Sequence, residues 1–164
     1  SYTGLRIGVS FAKGLCYGLQ KPLIAVGSLD ALTEVAREDY EAGILSVSDW
    51  DRALLCPMVD ARRMEVYAQV FDAEGRPQNE VTAEAGSFRE FREQGRPFVI
   101  FGSGARKCAE VLAGAEFVEV APSARGLARL AQQALDEGRT EDIAYFEPFY
   151  LKDFVVTTSK KSLF

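Results

Sequence analysis

Between residues 53 and 137 the hydrophobic period of the chain changes in an order that few folds accommodate. Apolar runs bounded by turn residues at 54–60, 65–72 and 78–83 predict three consecutive strands, and Ala73-Glu74-Gly75-Arg76-Pro77 supplies the turn between the last two. Helices and strands then alternate: a helix at about 87–94, a buried strand at 97–101 and a helix opened by Gly102-Ser103-Gly104 that runs to about 112. A strand at 117–120 and a long amphipathic helix over 123–137 complete the run. Meandering strands followed by alternating helices and strands predict one α/β lobe.

The amino-terminal part reads differently. A helix begins at residue 1, with Ser1 or Thr3 able to cap its first turn. Ile7, Phe11, Leu15 and Leu19 form a bulky apolar stripe, and Gly4, Gly8, Ala12 and Cys16 a small one beside it. Glycine inside a helix costs about 1 kcal/mol relative to alanine, so the pair implies a compensating close approach by another backbone. Residues 22–26 read as a short buried strand, and 28–37 as a second helix capped by Ser28 with Leu29, Leu32, Val35 and Ala36 facing inward. Residues 39–51 lack periodicity and form a connection that Trp50 pins to the body. The expected organisation is therefore 1–40, a linker at 41–52, a lobe at 53–156 and a flexible tail at 157–164. A capped helix with no turn before it reads as the remainder of a longer protein, cut ahead of Ser1.

Composition narrows the functional classes. The 164 residues are 48% hydrophobic and 26% charged, as in ordinary globular proteins, and no window nears the roughly 20 apolar residues that cross a bilayer. A net charge of -5 argues against autonomous nucleic-acid binding; Arg89, Arg92 and Arg96 read as a solvated helix face. Cys16, Cys56 and Cys108 form neither a Cys-x-x-Cys pair nor a disulfide framework, and fit buried thiols in a reducing cytoplasm. Histidine is absent, so the chain cannot offer imidazole to a metal or serve as the base of a Ser-His-Asp arrangement. No acidic cluster has convincing ligand spacing, and no metal site is expected.

Two constellations invite chemistry. Gly102-Ser103-Gly104 at a strand-to-helix junction could receive a phosphate, although a tight turn explains a bare Gly-x-Gly equally well. Asp60-Ala61-Arg62-Arg63-Met64-Glu65 lies at a hairpin turn that paired charges would fix, with Arg62 and Arg63 as candidate anion contacts. The segment Tyr145-Phe146-Glu147-Pro148-Phe149-Tyr150-Leu151 is aromatic enough that it should pack back on the body as an extended piece.

Four stretches, in order, resemble one family. Ser1-Tyr2-Thr3-Gly4-Leu5-Arg6-Ile7-Gly8 with Ala12-Lys13-Gly14-Leu15 is similar to the end of a Gly-Pro-Gly-Ser-(Phe/Tyr)-Thr-Gly-Leu-Arg motif. Pro22-Leu23-Ile24-Ala25-Val26-Gly27-Ser28-Leu29-Asp30-Ala31-Leu32, Asp60-Ala61-Arg62-Arg63-Met64-Glu65-Val66-Tyr67 and Pro148-Phe149-Tyr150-Leu151-Lys152 follow. Together they resemble the bacterial TsaB (YeaZ) family of tRNA threonylcarbamoyladenosine synthesis. The resemblance implies an α/β fold of actin-like (ASKHA, ribonuclease-H-like) lobes, the first incomplete here. It implies a cytoplasmic, non-catalytic subunit that activates a catalytic paralogue, TsaD, and meets an ATPase, TsaE. No cofactor would be bound by this chain alone, ATP would be used by the complex, and tRNA would be met only through it. The first helix would dock the partner or a second copy through Thr3, Gly4, Arg6, Gly8, Phe11, Ala12, Lys13 and Leu15, giving a homodimer in isolation. Arg62, Arg63, Gly102, Ser103 and Gly104 would be the anion or nucleotide contacts. The alternative is an actin-like small-molecule kinase or ATPase whose catalytic lobe is missing. Peptidase chemistry, an older label in this family, is disfavoured by the absence of histidine.

Overall fold

Strand β1 (Leu54–Asp60) is the axis of the fold, with its first five residues buried. It pairs antiparallel with β2 (Val66–Ala68) through Met58, Val59 and Asp60, and parallel with β3 (Phe98–Phe101) through Leu54, Leu55, Cys56 and Pro57. Strand β4 (Glu116–Phe117) adds to β3, giving the order β2-β1-β3-β4. This computed structural model describes residues 2–61, 65–83 and 88–151.

The predicted strand at 65–72 is interrupted. Leu55 and Phe71 exchange backbone hydrogen bonds of 2.8 Å, yet the regular ladder holds only at 58–60. Pro57 falls between the two and has no amide to donate, which breaks the pairing there. The predicted strand at 78–83 reduces to isolated bridges, Ala68 to Thr82 and Phe71 to Pro77, while the Asn79 side chain takes the Val70 amide at 2.7 Å. The turn between them is as expected: Gly75 has φ +80, and the Asp72 carboxylate accepts the Glu74 and Arg76 amides.

Both faces of the sheet are covered. Leu54, Cys56 and Met58 point to one side, where Phe88, Phe91, Ile100, Cys108 and Leu112 join them. Leu55, Val99 and Phe101 point to the other, against Leu29, Leu32, Val35 and Ala36 of helix α2 (Ser28–Glu41). The short helices α3 (Arg89–Arg92) and α4 (Ala105–Cys108) supply the first layer and α2 the second. Burying a side chain such as Phe71 or Phe101 contributes about 2–3 kcal/mol. Helix α2 thus buries the four residues its period assigned inward, and its packing is with the sheet rather than with the helix that precedes it. Its amino-terminal cap is Gly27, one residue ahead of the predicted Ser28, and no side chain caps it. Trp50, in a 3-10 turn (Trp50–Arg52), stacks on Tyr40 with ring centroids 4.5 Å apart and joins the α2 side of the core.

Other expectations need correction. Residues 22–26 contain only an isolated bridge, Leu23 to Glu141, and only Leu23 is buried there. The helices expected over 87–94 and 102–112 are a single turn each, α3 and α4, with Ser87 outside the described residues. The 123–137 helix starts as a 3-10 turn (Ala124–Leu127), with the Ser123 hydroxyl accepting the Arg125 amide, and continues as α5 (Ala128–Asp136). The aromatic tail packs back only in part: Phe146, Pro148 and Tyr150 are half-buried, whereas Tyr145 is 84% and Phe149 74% exposed. Asp142 accepts the amides of Ala144 and Tyr145 and fixes a turn there, which leaves the Tyr145 ring in solvent. Residues 157–164 lie outside the described residues.

Candidate functional site

Helix α1 (Tyr2–Leu19) ends on the last residue of its predicted apolar stripe. Its bulky stripe faces outward: Ile7 is 65%, Phe11 69%, Leu15 47% and Leu19 66% exposed. The small stripe is split. Ala12 and Cys16 are half-buried, whereas Gly4 and Gly8 are exposed and a Cβ at Gly8 would meet nothing within 4 Å. The close backbone approach expected at that glycine is therefore not made within the described residues. What touches this side of the helix is the returning chain: Lys13 donates to the Ala144 carbonyl at 3.3 Å. Nearby, the Glu141 amide meets the Leu23 carbonyl at 2.8 Å. Thr3 and Arg6 are exposed, and Lys13 is half-buried.

At the β3–α4 junction the glycines serve packing. Gly102 has φ +95, and a Cβ there would stand 2.6 Å from the Met58 carbonyl oxygen. At Gly104 a Cβ would stand 2.7 Å from Val66 and 3.1 Å from the Val59 backbone, and the Gly104 amide already donates to the Met58 carbonyl at 2.9 Å. The Ser103 hydroxyl accepts the Asp60 amide at 3.1 Å. These residues seat α4 on the end of β1. Asp60 reaches across the sheet edge to Lys107 at 2.6 Å; the pairing expected within its own turn falls on partners outside the described residues. Arg62 and Arg63 lie outside the described residues. The structure thus puts α1 beside the carboxy-terminal return and the Gly-Ser-Gly junction on β1, in different parts of the fold.

One cluster was not anticipated. Glu34, 3% exposed, lies on the buried side of α2, where Arg37 from the next turn and Arg129 from α5 converge on its carboxylate. Burial alone would raise its pKa, but hydrogen bonds from Arg129 and Arg37 pull it down to about 2. A charged residue on the buried side of α2 was the only local signal; its partner Arg129 is 95 positions away. Asp72, partly buried, is likewise held below the usual carboxylate range, since burial is outweighed by the Arg76 amide and guanidinium. Burial pushes the Cys56 and Cys108 thiols up, which leaves them inert. Among the described residues no group of three metal-ligating side chains converges, and no helix is long and apolar enough to cross a membrane.

Solved structures define the class first. The fold matches a Pseudomonas aeruginosa protein described as uncharacterized with similarity to peptidase YEAZ, at TM-score 0.71 and 22% identity over 93% of this chain and 69% of that one. A second structure, YeaZ from Pseudomonas aeruginosa, matches at TM-score 0.67 and 21% identity over 92% of this chain and 70% of that one. The chain has the actin-like, ribonuclease-H-like α/β fold of these proteins.

Sequence gives the family. The model for TsaD, tRNA N6-adenosine threonylcarbamoyltransferase, matches residues 1–160. The tRNA threonylcarbamoyladenosine biosynthesis protein TsaB of Bacillus subtilis is 32% identical over 62% of this chain and 42% of its own length. Its namesake in Haemophilus influenzae is 31% identical over 57% of this chain and 33% of its own length, and that of Escherichia coli 25% identical over 94% and 68%. The match thus spans less than half of the first two relatives. The chain belongs to the TsaD-related family and, within it, to the TsaB (YeaZ) group.

Proposed function

We propose that this chain acts in tRNA threonylcarbamoyladenosine biosynthesis as a non-catalytic subunit that holds a catalytic TsaD paralogue in its active conformation. A TsaE-type ATPase completes the assembly, which consumes the ATP and meets the tRNA. The single observation that carries this reading is α1: in a chain of this family, a helix leaves Ile7, Phe11, Leu15 and Leu19 in solvent. A contiguous apolar stripe of that size calls for a cover. We assign the cover to the paralogue, or to a second copy when the paralogue is absent, with Thr3, Gly4, Arg6, Gly8, Phe11, Ala12, Lys13 and Leu15 at or beside the contact. The absence of histidine supports the non-catalytic role, because neither an imidazole base nor a histidine-ligated metal is available. The packing duty of Gly102 and Gly104 gives no support to the kinase alternative.

The test is reconstitution of the intact protein with the paralogue and the ATPase. Threonylcarbamoyladenosine should form only when all are present, and this subunit alone should not turn over ATP. Robust ATP hydrolysis by it alone, or full product formation without it, would overturn the proposal.

A further inference from the structure

Helix α5 is fastened to the body by a thin apolar contact and by charge. Of its nine residues only Ala134 is buried. Leu135 is 44% exposed, and Leu127 just ahead of the helix 40%. A surface helix ordinarily holds on through an apolar stripe, and here that stripe is thin, with Leu130 and Ala131 half-buried and its two end leucines wet. Arginines add to it. Arg129 forks onto Glu34 through two bonds of 2.5 Å, and Arg125 spans Glu38 at 3.1 Å and Asp39 at 2.7 Å. Between these anchors Gly126 lies so close to the Ala31 carbonyl that a Cβ would not fit. The acidic half of the contact comes from successive turns of α2, the basic half from the segment that leaves it.

The pairing is asymmetric in a useful way. Glu34 has a permanent partner, Arg37, on its own helix and a removable one, Arg129, across the contact. Withdrawing α5 therefore does not strand a bare carboxylate in the core, which is the event that makes breaking a buried pair costly. Arg125 and Arg129 are 44% and 47% exposed, so dissolved salt reaches them.

We infer that residues 124–136 form an ionically latched arm, which opens from α2 while the sheet remains folded. Opening widens an already open cleft of about 300 Å³ that Ser28, Ala31 and Leu32 share with Ser123 and Leu127, because the arm forms one of its walls. It also loosens the chain's return to α1, because α5 leads directly to Glu141 and its bond to Leu23. The inference does not depend on the role in tRNA modification.

Amide hydrogen exchange on the intact protein tests it. Raising sodium chloride from about 0.05 to about 1 M should speed exchange across 128–136 and at Glu141 roughly tenfold, with β1 and β3 unchanged. Arg129→Met should do the same at low salt, while Arg76→Met, which cuts an ion pair elsewhere, should leave the arm protected. Salt titration of the unaltered protein needs no variant to fold. Exchange of 128–136 that stays level with β1 and β3 under salt and in Arg129→Met would overturn the latch.

Discussion

Helices α1 and α2 carry similar apolar periods and meet opposite fates. Helix α2 buries seven residues against β1, β3 and the 3-10 turn Ala124–Leu127, whereas α1 leaves its four largest periodic side chains in water. Periodicity says that a face will be covered; it does not say by what. For α2 the cover lies in this chain, and for α1 we place it in another molecule. The glycines tell the same story. Gly126 is pressed against Ala31 of α2, while Gly8 of α1 faces open space.

Substitutions should separate the two helices by size of effect. The largest belongs to the α2 face: Val35→Asp, at a position 1% exposed, should cost at least about 4 kcal/mol and abolish a cooperative melt, because an unpaired carboxylate would enter the core. Phe11→Asp on α1 should change the stability of the monomer, measured at high dilution, by no more than about 0.5 kcal/mol. Equal losses in chemical denaturation would erase the contrast.

Next in size is a pH effect confined to α2. The folded pKa of Glu34, about 2, lies below its ordinary 4.5, so the stability it contributes is complete above about 4.5 and lost as pH falls through 2. Glu34→Gln should remove roughly 3 kcal/mol of acid dependence from denaturation curves taken between those limits. A wild-type slope in the variant would show that the carboxylate is not held by the arginines. Glycine replacements come last. Gly126→Ala should destabilise by about 2 kcal/mol through the clash at Ala31. Gly8→Ala should stabilise by up to about 1 kcal/mol, since nothing stands where the methyl would go.

What was legible in the sequence follows from the range of the interactions. Strand β1 was predicted at its observed limits, because a dense apolar run bounded by polar residues is a local signal. The inward face of α2 and the Trp50 anchor were readable for the same reason. Segment 22–26 looked like a strand on its own residues, but it meets only Glu141, and a single bridge cannot extend it. Tyr145 and Phe149 were expected inside on hydrophobicity, which carries no information about whether a surface waits for them. The Gly-Ser-Gly junction was visible, yet its purpose was not. That Gly104 serves β1 depends on the Met58 carbonyl, which only the folded chain brings near. The Glu34–Arg129 contact was wholly hidden, since no pattern links positions that far apart.

The account rests on α1 being an intermolecular surface, and one variant probes it directly. Phe11→Glu in the intact protein should be assayed side by side for its thermal melt and for co-purification with the TsaD paralogue. The account predicts a melt lowered no further than loss of the second copy allows, with loss of co-purification and of threonylcarbamoyladenosine formation in the reconstituted mixture. Wild-type co-purification, or a melt lowered as far as that of a core variant, would contradict it, the latter by placing Phe11 inside the protein's own fold.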